Sequence, residues 1–374
     1  MKKIDPILLK NVSLLSSANH TTECVVYAYN YHVAKKFLYK IIDHNKLIEY
    51  PFIKAFGLKV DQKNIFKIAK IDAVKYVSSA LKVSALNYES NNFLDTYNRY
   101  IPNTNNISVA VIDTGVSPHL DLMIPKRIIK FVDMVNNKNS IYDDNGHGTF
   151  VTGILCGNGT VSNSKYQGID NNINIIAIKA LDNNGETGTL NILNSMQWIY
   201  ENCKRYNIKV VCMSFGSMPI GASDPLIKGA EVLWDNGIVV VCAGGNSGPS
   251  SETIKAPGAS SKVITVGALD IRKMQVAEFS SRGPIFNYYK PDLIAPGVDV
   301  IGLNNNISNK NYYTMMSGTS VATPMVAGVC SMILKMNPRL TPNQVKSKLI
   351  SCCTPITGDR NIEGFGYLDG FKLW

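Results

Sequence analysis

The sequence has no long apolar run and no dense block of charge, and each of these absences excludes a class of protein. No stretch approaches the roughly 18 to 20 apolar residues that a membrane span requires. Lysine and arginine give a formal net charge of +10 but are scattered, which argues against nucleic-acid binding. With 45% hydrophobic residues, the 374-residue chain can bury a substantial core, so we expect a soluble protein without nucleic-acid or membrane partners.

The eight cysteines match neither a zinc site nor a disulfide framework. The adjacent Cys352 and Cys353 have no second pair and no histidine at ligand spacing. Most of the others lie in apolar runs, for example at 210–213 and 239–242, where buried free thiols are usual. Residues 1–20 lack the apolar core and the small-residue cleavage site of a secretory signal. These features predict a protein that stays in the reducing cytoplasm.

The hydrophobic pattern divides the chain into a tail at 1–19, a small unit at 20–86 and a large unit at 87–374. In the small unit the predicted order is βαββαβ, which is typical of a ferredoxin-like split βαβ fold. The expected elements are a strand at 23–29, a helix at 32–45, two strands within 47–60 around residues 55–57, a helix at 61–71 capped by Asp61, and a strand at 73–77.

After a linker without clear period at 87–106, the large unit alternates short apolar runs with helical patterns. This alternation predicts an α/β fold with a doubly wound parallel sheet. Strands are expected at 107–113, 173–180, 210–213, 238–243 and 263–266, and helices at 147–155, 190–206, 225–236 and 320–336. Ligands of such sheets bind at the carboxyl ends of the strands, where Asp113 and the Gly-rich turn after Ala243 fall.

Residues 317–328, Ser-Gly-Thr-Ser-Val-Ala-Thr-Pro-Met-Val-Ala-Gly, join a Gly-Thr-Ser turn to a helix with an apolar stripe. Pro324 is expected near the start of that helix, because proline lacks a backbone N–H. Ser320 would then lie at the helix N-terminus, where its own N–H can meet a developing oxyanion. A plain helix cap would also explain Gly-Thr-Ser, but the motif is longer than a cap requires.

Two further motifs lie upstream of Ser320. Asp113 ends a buried run in Asp-Thr-Gly-Val, and His147 follows it by 34 residues in Gly-His-Gly-Thr-Phe-Val. With Gly-Thr-Ser-x-Ala-x-Pro around Ser320, the order Asp, His, Ser closely resembles that of the subtilisin-like serine proteases. Thr152 departs from the family, which usually has alanine there. Residues 157–169 resemble the intracellular, AprX-like branch and differ from the calcium loop of secreted subtilisins.

The resemblance implies a serine endopeptidase. His147 would take the proton of Ser320 during attack and return it to the leaving amine. Asp113 would fix the imidazole tautomer and stabilise the imidazolium. Asn246, in the turn at 243–248, resembles the oxyanion donor of the family, although a Gly-Asn turn also suits left-handed backbone angles.

The resemblance also implies that a polypeptide substrate binds as an added strand, between two edges of the chain. An ordinary surface loop is an alternative for the second edge. The predicted contacts are Ser214, Phe215 and Gly216 on the first edge, Gly185, Glu186 and Thr187 on the second, and Ala243 and Gly244 beside Asn246.

In this family a small unit before the catalytic domain is an inhibitory prodomain and folding template, so residues 20–86 imply a self-processing zymogen. The last strand would continue into the cleft, with Leu86 in the primary pocket and self-cleavage between Leu86 and Asn87. A cut within 87–106 is the alternative. Because Leu86 and Val83 are both apolar, we expect a preference for apolar residues before the cut.

The chemistry requires no cofactor. Structural calcium is an option without assignable ligands: Asp143 and Asp144 could bind a cation or support the turn electrostatically. Two other functions fit the same motifs, a processing protease for a single precursor in sporulation or germination, and a pseudoprotease that binds polypeptides. The complete triad and Asn246 argue against the pseudoprotease.

Overall fold

The computed structural model describes residues 3–9, 21–43, 46–85, 101–307 and 310–373. In this part of the chain a small sheet and a large sheet form two α/β units, and one short strand connects them. The strands are β1 (Thr21–Ala28), β2 (Leu47–Tyr50), β3 (Ala55–Asp61), β4 (Val74–Ser79), β5 (Lys82–Ala85), β6 (Ser108–Asp113), β7 (Ile128–Asp133), β8 (Asn174–Lys179), β9 (Glu186–Gly188), β10 (Ile208–Met213), β11 (Phe215–Gly216), β12 (Val239–Ala243), β13 (Ile264–Asp270), β14 (Gln275–Val276), β15 (Leu293–Pro296), β16 (Val300–Leu303), β17 (Tyr313–Met316), β18 (Cys353–Thr354) and β19 (Tyr367–Leu368). The helices are α1 (Tyr31–Leu38), α2 (Gln62–Ala69), α3 (Leu120–Met123), α4 (His147–Cys156), α5 (Thr189–Asn202), α6 (Pro225–Asp235), α7 (Thr319–Met336), α8 (Pro342–Ser351) and α9 (Arg360–Glu363).

The small unit has the predicted βαββαβ order, and its antiparallel sheet has the strand order β2-β3-β1-β4. Successive residues of a strand face opposite sides of the sheet. In β1, Cys24 and Val26 therefore pack with α1 and α2 in the small unit's own core, whereas Val25 and Tyr27 pack with the core of the large unit. One face of this sheet stabilises the unit, and the other face docks it.

Two boundaries in the small unit differ from the prediction. Helix α1 ends at Leu38, whereas the prediction extended it to residue 45; Ile41, the last residue of the predicted period, lies in the turn that follows. Residues 55–57 belong to β3 and do not form the reversal between the strands. The chain reverses earlier, in a 3₁₀ turn at Pro51–Ile53 that ends with Lys54 in the left-handed conformation.

Residues 3–9, predicted as part of a tail, are packed against the small unit. Ile4 pairs in parallel with Val77 of β4, and Leu8 is fully buried in the small core. The carboxylate of Asp5 accepts hydrogen bonds from the backbone N–H and the hydroxyl of Ser79, the last residue of β4. We call residues 3–9 the N-terminal strap. So short a segment shows no hydrophobic period, which is why the sequence pattern missed it.

The large sheet has the strand order β18-β19-β15-β13-β12-β10-β6-β8-β7, with β14 paired to β13. From β7 to β15 all neighbouring strands are parallel, as the predicted doubly wound sheet requires. The five predicted strands overlap β6, β8, β10, β12 and β13. The edge strand β7 is partly exposed and β15 is only four residues long, so neither forms the long apolar run that marks a central strand.

Helix α7 lies in the middle of the large unit, packed against α4 and the strands β10, β12, β13 and β15. By length and hydropathy alone it could cross a membrane, but 94% of its 18 residues are buried inside the protein. The helix is apolar on all sides because protein surrounds it on all sides. Its first turn carries the Gly-Thr-Ser motif, so the core of the protein holds the predicted nucleophile in place.

Strand β5 leaves the small unit and pairs with the large one. It is antiparallel to β11 on one side and to β9 on the other, which gives a three-stranded sheet with the order β11-β5-β9. We call this three-stranded sheet the cleft sheet.

Candidate active site

The predicted acid and base are hydrogen-bonded to each other at the carboxyl end of β6. Asp113 is the last residue of β6, His147 is the first residue of α4, and both are buried. The Nδ1 atom of His147 lies 2.6 Å from Oδ1 of Asp113. Because an ionised carboxylate can only accept, Nδ1 is the donor of this hydrogen bond, and in a neutral imidazole Nε2 is then the acceptor. Nε2 has no hydrogen-bond partner within the described residues.

The loop before His147 is held by the buried carboxylate of Asp143. Its Oδ1 accepts from the N–H of Gly146 at 2.8 Å and from the hydroxyl of Thr114 at 2.9 Å, and its Oδ2 accepts from the N–H of Thr149 at 2.9 Å. Gly146 has a φ of 110°, which a residue with a side chain adopts only at a cost. Asp143 thus fixes the base in position relative to the acid.

Lys179 supports the same region, a role that the sequence analysis did not predict. It ends β8 beside Asp113 and is completely buried. Its Nζ donates to the carbonyl oxygens of Thr114 and Leu181, at 2.6 Å and 3.0 Å, and to the carboxylate of Asp144 at 2.6 Å. The pairing of β6 with β8 creates these contacts, and the sequence signal is only a lysine at the end of an apolar run.

Ser320 is buried in the first turn of α7. Pro324 lies inside the helix, further from its start than predicted. A proline there leaves the carbonyl of Ser320 without its helical donor. The hydroxyl of Ser214 donates to that carbonyl at 2.9 Å, so a residue of the predicted substrate edge completes the hydrogen bonding of the nucleophile's own backbone.

The side chain of Asn246 is oriented by the residue next to Ser320. Its Oδ1 accepts from the N–H and from the hydroxyl of Thr319, both at 2.9 Å. The amide nitrogen must then point away from Thr319, and this buried Nδ2 has no partner within the described part of the chain. A buried, unpaired donor beside the N-terminus of α7 has the chemistry that oxyanion stabilisation requires.

The cleft sheet brings the two predicted substrate edges to either side of β5. The N–H of Ala85 donates to the carbonyl of Gly185 at 2.8 Å, and Val83 is fully buried against the core of the large unit. The paired residues are Ala85 with Phe215, Ser84 with Gly216 and with Glu186, and Val83 with Thr187. Strand β5 therefore occupies the place expected for an added substrate strand. Leu86 and Asn87, the predicted processing site, lie outside the described residues.

The backbone of Ala243 and Gly244 is hydrogen-bonded within the catalytic unit and does not pair with β5 as the two edges do. The N–H of Gly244 donates to Val266 and its carbonyl accepts from the N–H of Lys255, both at 2.9 Å. Their backbone is engaged with neighbouring segments, because β12 is a central strand of the sheet. The N–H and the carbonyl of Gly244 are therefore not available to a substrate strand, unlike those of an open edge.

Lys255 packs beside the cleft sheet, which the sequence analysis did not predict. A Cβ added to Gly216 would lie 2.6 Å from the Cβ of Lys255, so the lysine stem packs directly against the strand that pairs with β5. The Nζ atom lies 2.9 Å from the sulfur of Met218. Burial lowers the pKa of Lys255 below its ordinary value.

The carboxylates near the site are paired with protein donors. Asp143 and Asp144 are engaged as described above, and Asp121 accepts from the hydroxyl of Tyr313 at 2.6 Å and from the N–H of Val161 at 2.9 Å. In the part of the chain that the structure describes, no group of three or more His, Cys, Asp or Glu side chains could hold a metal ion.

Comparison with known proteins agrees with this geometry. The model of the subtilase family matches residues 104–367. Serine protease AprX of Bacillus subtilis is 43% identical over 271 residues, which cover 65% of this chain and 60% of AprX. Subtilisin DY of Bacillus licheniformis is 34% identical over 267 residues, 71% of this chain and 89% of that protein.

Two further similarities concern the fold and the small unit. The solved structure of sphericase matches with a TM-score of 0.63 at 29% identity, over 70% of this chain and 91% of that one. A thermostable alkaline protease of Halalkalibacterium halodurans is 29% identical over 372 residues, which cover 96% of both chains. The predicted resemblance to AprX-like enzymes and the predicted fold are confirmed, and the chain spans about 60% of AprX itself.

Proposed function

The chain belongs to the subtilase family of serine peptidases, and from that premise we propose that it is a serine endopeptidase made as a self-processing zymogen. Residues 20–86 are the inhibitory prodomain and residues 87–374 the catalytic domain. The observation that carries the proposal is the position of β5, which lies between both cleft edges while the hydrogen-bonded pair of Asp113 and His147 stands nearby.

We assign each residue a role that its hydrogen bonds support. Nε2 of His147 accepts the proton of Ser320 as its hydroxyl oxygen attacks the peptide carbonyl, and later gives that proton to the leaving amine. Asp113 holds the proton on Nδ1 and stabilises the imidazolium. The amide of Asn246 and the N–H of Ser320 stabilise the oxyanion. Water then attacks the acyl-enzyme with His147 again as the base, which releases the acid product.

The same proposal assigns the substrate and the processing site. Polypeptides bind as an added strand between β9 and β11, with apolar residues favoured before the cut, because Val83 of β5 occupies an apolar site. Self-cleavage occurs between Leu86 and Asn87, with a cut in 87–106 as the alternative. We also propose a cytoplasmic location, which the apolar setting of the cysteines supports.

The test compares the wild-type protein with Ser320→Ala and with Ser351→Ala, an exposed serine at the end of α8, as the matched control. Intact mass and N-terminal sequencing should show wild type and control cut after Leu86 and active on casein. Ser320→Ala should stay at full length and be inactive. Self-processing by the Ser320→Ala protein would overturn the mechanism. A mature chain that starts upstream of Lys82 would overturn the processing site.

A further inference from the structure

The strand in the cleft carries a charge contact that the family resemblance does not explain. Lys82 of β5 forms an ion pair with Glu186 of β9. Glu186 lies opposite Ser84 in the antiparallel register. Lys82 precedes Ser84 by two residues, so its side chain lies on the same face of the strand and is the diagonal neighbour of Glu186. Any peptide that binds in the place of β5 presents its own side chain to Glu186 at this position.

The surroundings of this contact are acidic. A cavity of about 350 Å³ next to it is lined by Lys82, Asp182, Glu186 and Glu23, together with Ala80, Leu81, Thr187 and Gly188. Lys82 is the one basic side chain among these described lining residues. Oδ1 of Asp182 accepts from the N–H of Glu186 at 3.0 Å, which holds the Asp182 carboxylate beside the backbone of Glu186.

The acidic character belongs to the catalytic domain and outlasts processing. Glu23 lies on β1 of the prodomain and would depart with it, whereas Asp182 and Glu186 lie on the edge of the cleft. Lys82 would depart as well. The mature enzyme would then keep two carboxylates at this position and would have lost the cation that had paired with them.

We propose that Glu186, supported by Asp182, gives the mature enzyme a preference for lysine or arginine at the substrate position that Lys82 occupies. Counted back from the proposed cut after Leu86, this is the fifth residue before the scissile bond. The inference rests on the proposed function, since it treats β5 as a stand-in for substrate. It adds a charge preference, remote from the cut, to the apolar preference beside it.

The expected effect is modest because the pair is solvent-exposed. The side chains of Lys82 and Glu186 are 64% and 37% exposed, and ion pairs of this kind contribute little when water surrounds them. We expect kcat/KM to differ by about threefold to tenfold between a lysine and a glutamate at this position. The difference should shrink as salt is added, because exposed charges are screened.

The experiment uses processed enzyme and three peptides, acetyl-X-Val-Ser-Ala-Leu-p-nitroanilide with X as lysine, alanine or glutamate. Wild type should rank them lysine, alanine, glutamate; Glu186→Gln should level them; and Glu186→Lys should reverse the order. Glu201→Lys, with the same charge change near the far end of α5, should keep the wild-type order.

Equal rates for the three peptides with wild-type enzyme would overturn the inference while leaving the proposed function intact. An order that Glu186→Gln leaves unchanged would do the same. If the processed wild type hydrolyses none of the peptides, the proposed function fails and this inference with it. Should Glu186→Lys not fold, the Glu186→Gln variant and the salt dependence of the wild type still decide the matter.

Discussion

The two ends of the Asn246 amide have different tasks. Its oxygen is bound twice by Thr319, while its nitrogen has no partner within the described residues. A buried donor without an acceptor costs free energy in the resting protein. In the proposed mechanism that cost is recovered when negative charge develops on the oxyanion in the transition state.

We therefore expect Asn246→Ala to lower kcat by about 10² to 10³ with little change in KM. Steady-state kinetics on a peptide substrate measures both constants. Asn236→Ala, an exposed asparagine at the end of α6, is the control and should behave as wild type. An unchanged kcat with a raised KM would place Asn246 outside the oxyanion site.

Residue by residue, what could be predicted depended on whether the chemistry lies in a local motif. Asp113, His147, Ser320 and Asn246 each stand in a short run whose residue types are set by the reaction. Lys179 does not, because its partners come together only when the strands pair. Support of the turn was one of two options that the sequence left open for Asp143, but its burial was not foreseen, since an acid before a histidine gives no sign of burial.

At the scale of elements, the N-terminal strap fastens the strand from which the cleft segment emerges. The N–H of Asp5 donates to the carbonyl of Val77, and that of Val77 to the carbonyl of Lys3. Ser79, bound by the carboxylate of Asp5, ends β4 just before β5 begins. Loss of that carboxylate would leave a buried N–H of Ser79 without its acceptor, which costs about 1 to 3 kcal/mol.

We expect Asp5→Ala to lower the stability of the prodomain and to shorten the time to full activity after self-cleavage. The kcat/KM of the fully processed enzyme should not change, because the strap contacts the small unit and none of the proposed catalytic residues. Thermal unfolding in a Ser320→Ala background and activation time courses measure the two effects. Asp72→Ala, an exposed acid on the same unit, serves as the control. Identical time courses for Asp5→Ala and wild type would contradict this role.

The elements that sequence pattern predicted are those with a single dominant periodicity. The strands β6, β8, β10 and β12 have one because both of their faces are covered, and the helices α4 and α7 because they are buried almost throughout. The helices α5 and α6 have one because a single face of each packs on the core. Strand β7 and the strap have mixed exposure, so their hydrophobic pattern resembles that of a loop. Their structure is decided by the neighbours they meet.

At the scale of the whole molecule, the eight cysteines are all free and seven of them are buried. Burial raises the pKa of Cys24, Cys242 and Cys353 to about 12 and that of Cys156 to about 11. Thiolates, the reactive form, are scarce at neutral pH under those conditions.

A thiol reagent at neutral pH should therefore react slowly with the native protein, reaching at most the half-buried Cys353, and should count eight groups after denaturation. Protein purified without reductant from its natural source provides the sample, and the same protein reduced before denaturation gives the reference count. Several disulfides in that sample would overturn the proposed cytoplasmic location.

Under the zymogen mechanism that we propose, the insertion of β5 between two edges of the catalytic domain keeps inhibition intramolecular for as long as the chain is whole. Self-cleavage would turn it into a bimolecular equilibrium. Before the cut, the effective concentration of the inhibitory strand is set by the geometry of the chain and does not depend on how much protein is present. After the cut, it equals the concentration of the freed prodomain. A cleaved but concentrated sample should then have low specific activity, which rises on dilution. A Leu86 variant that resists cleavage should show no such rise.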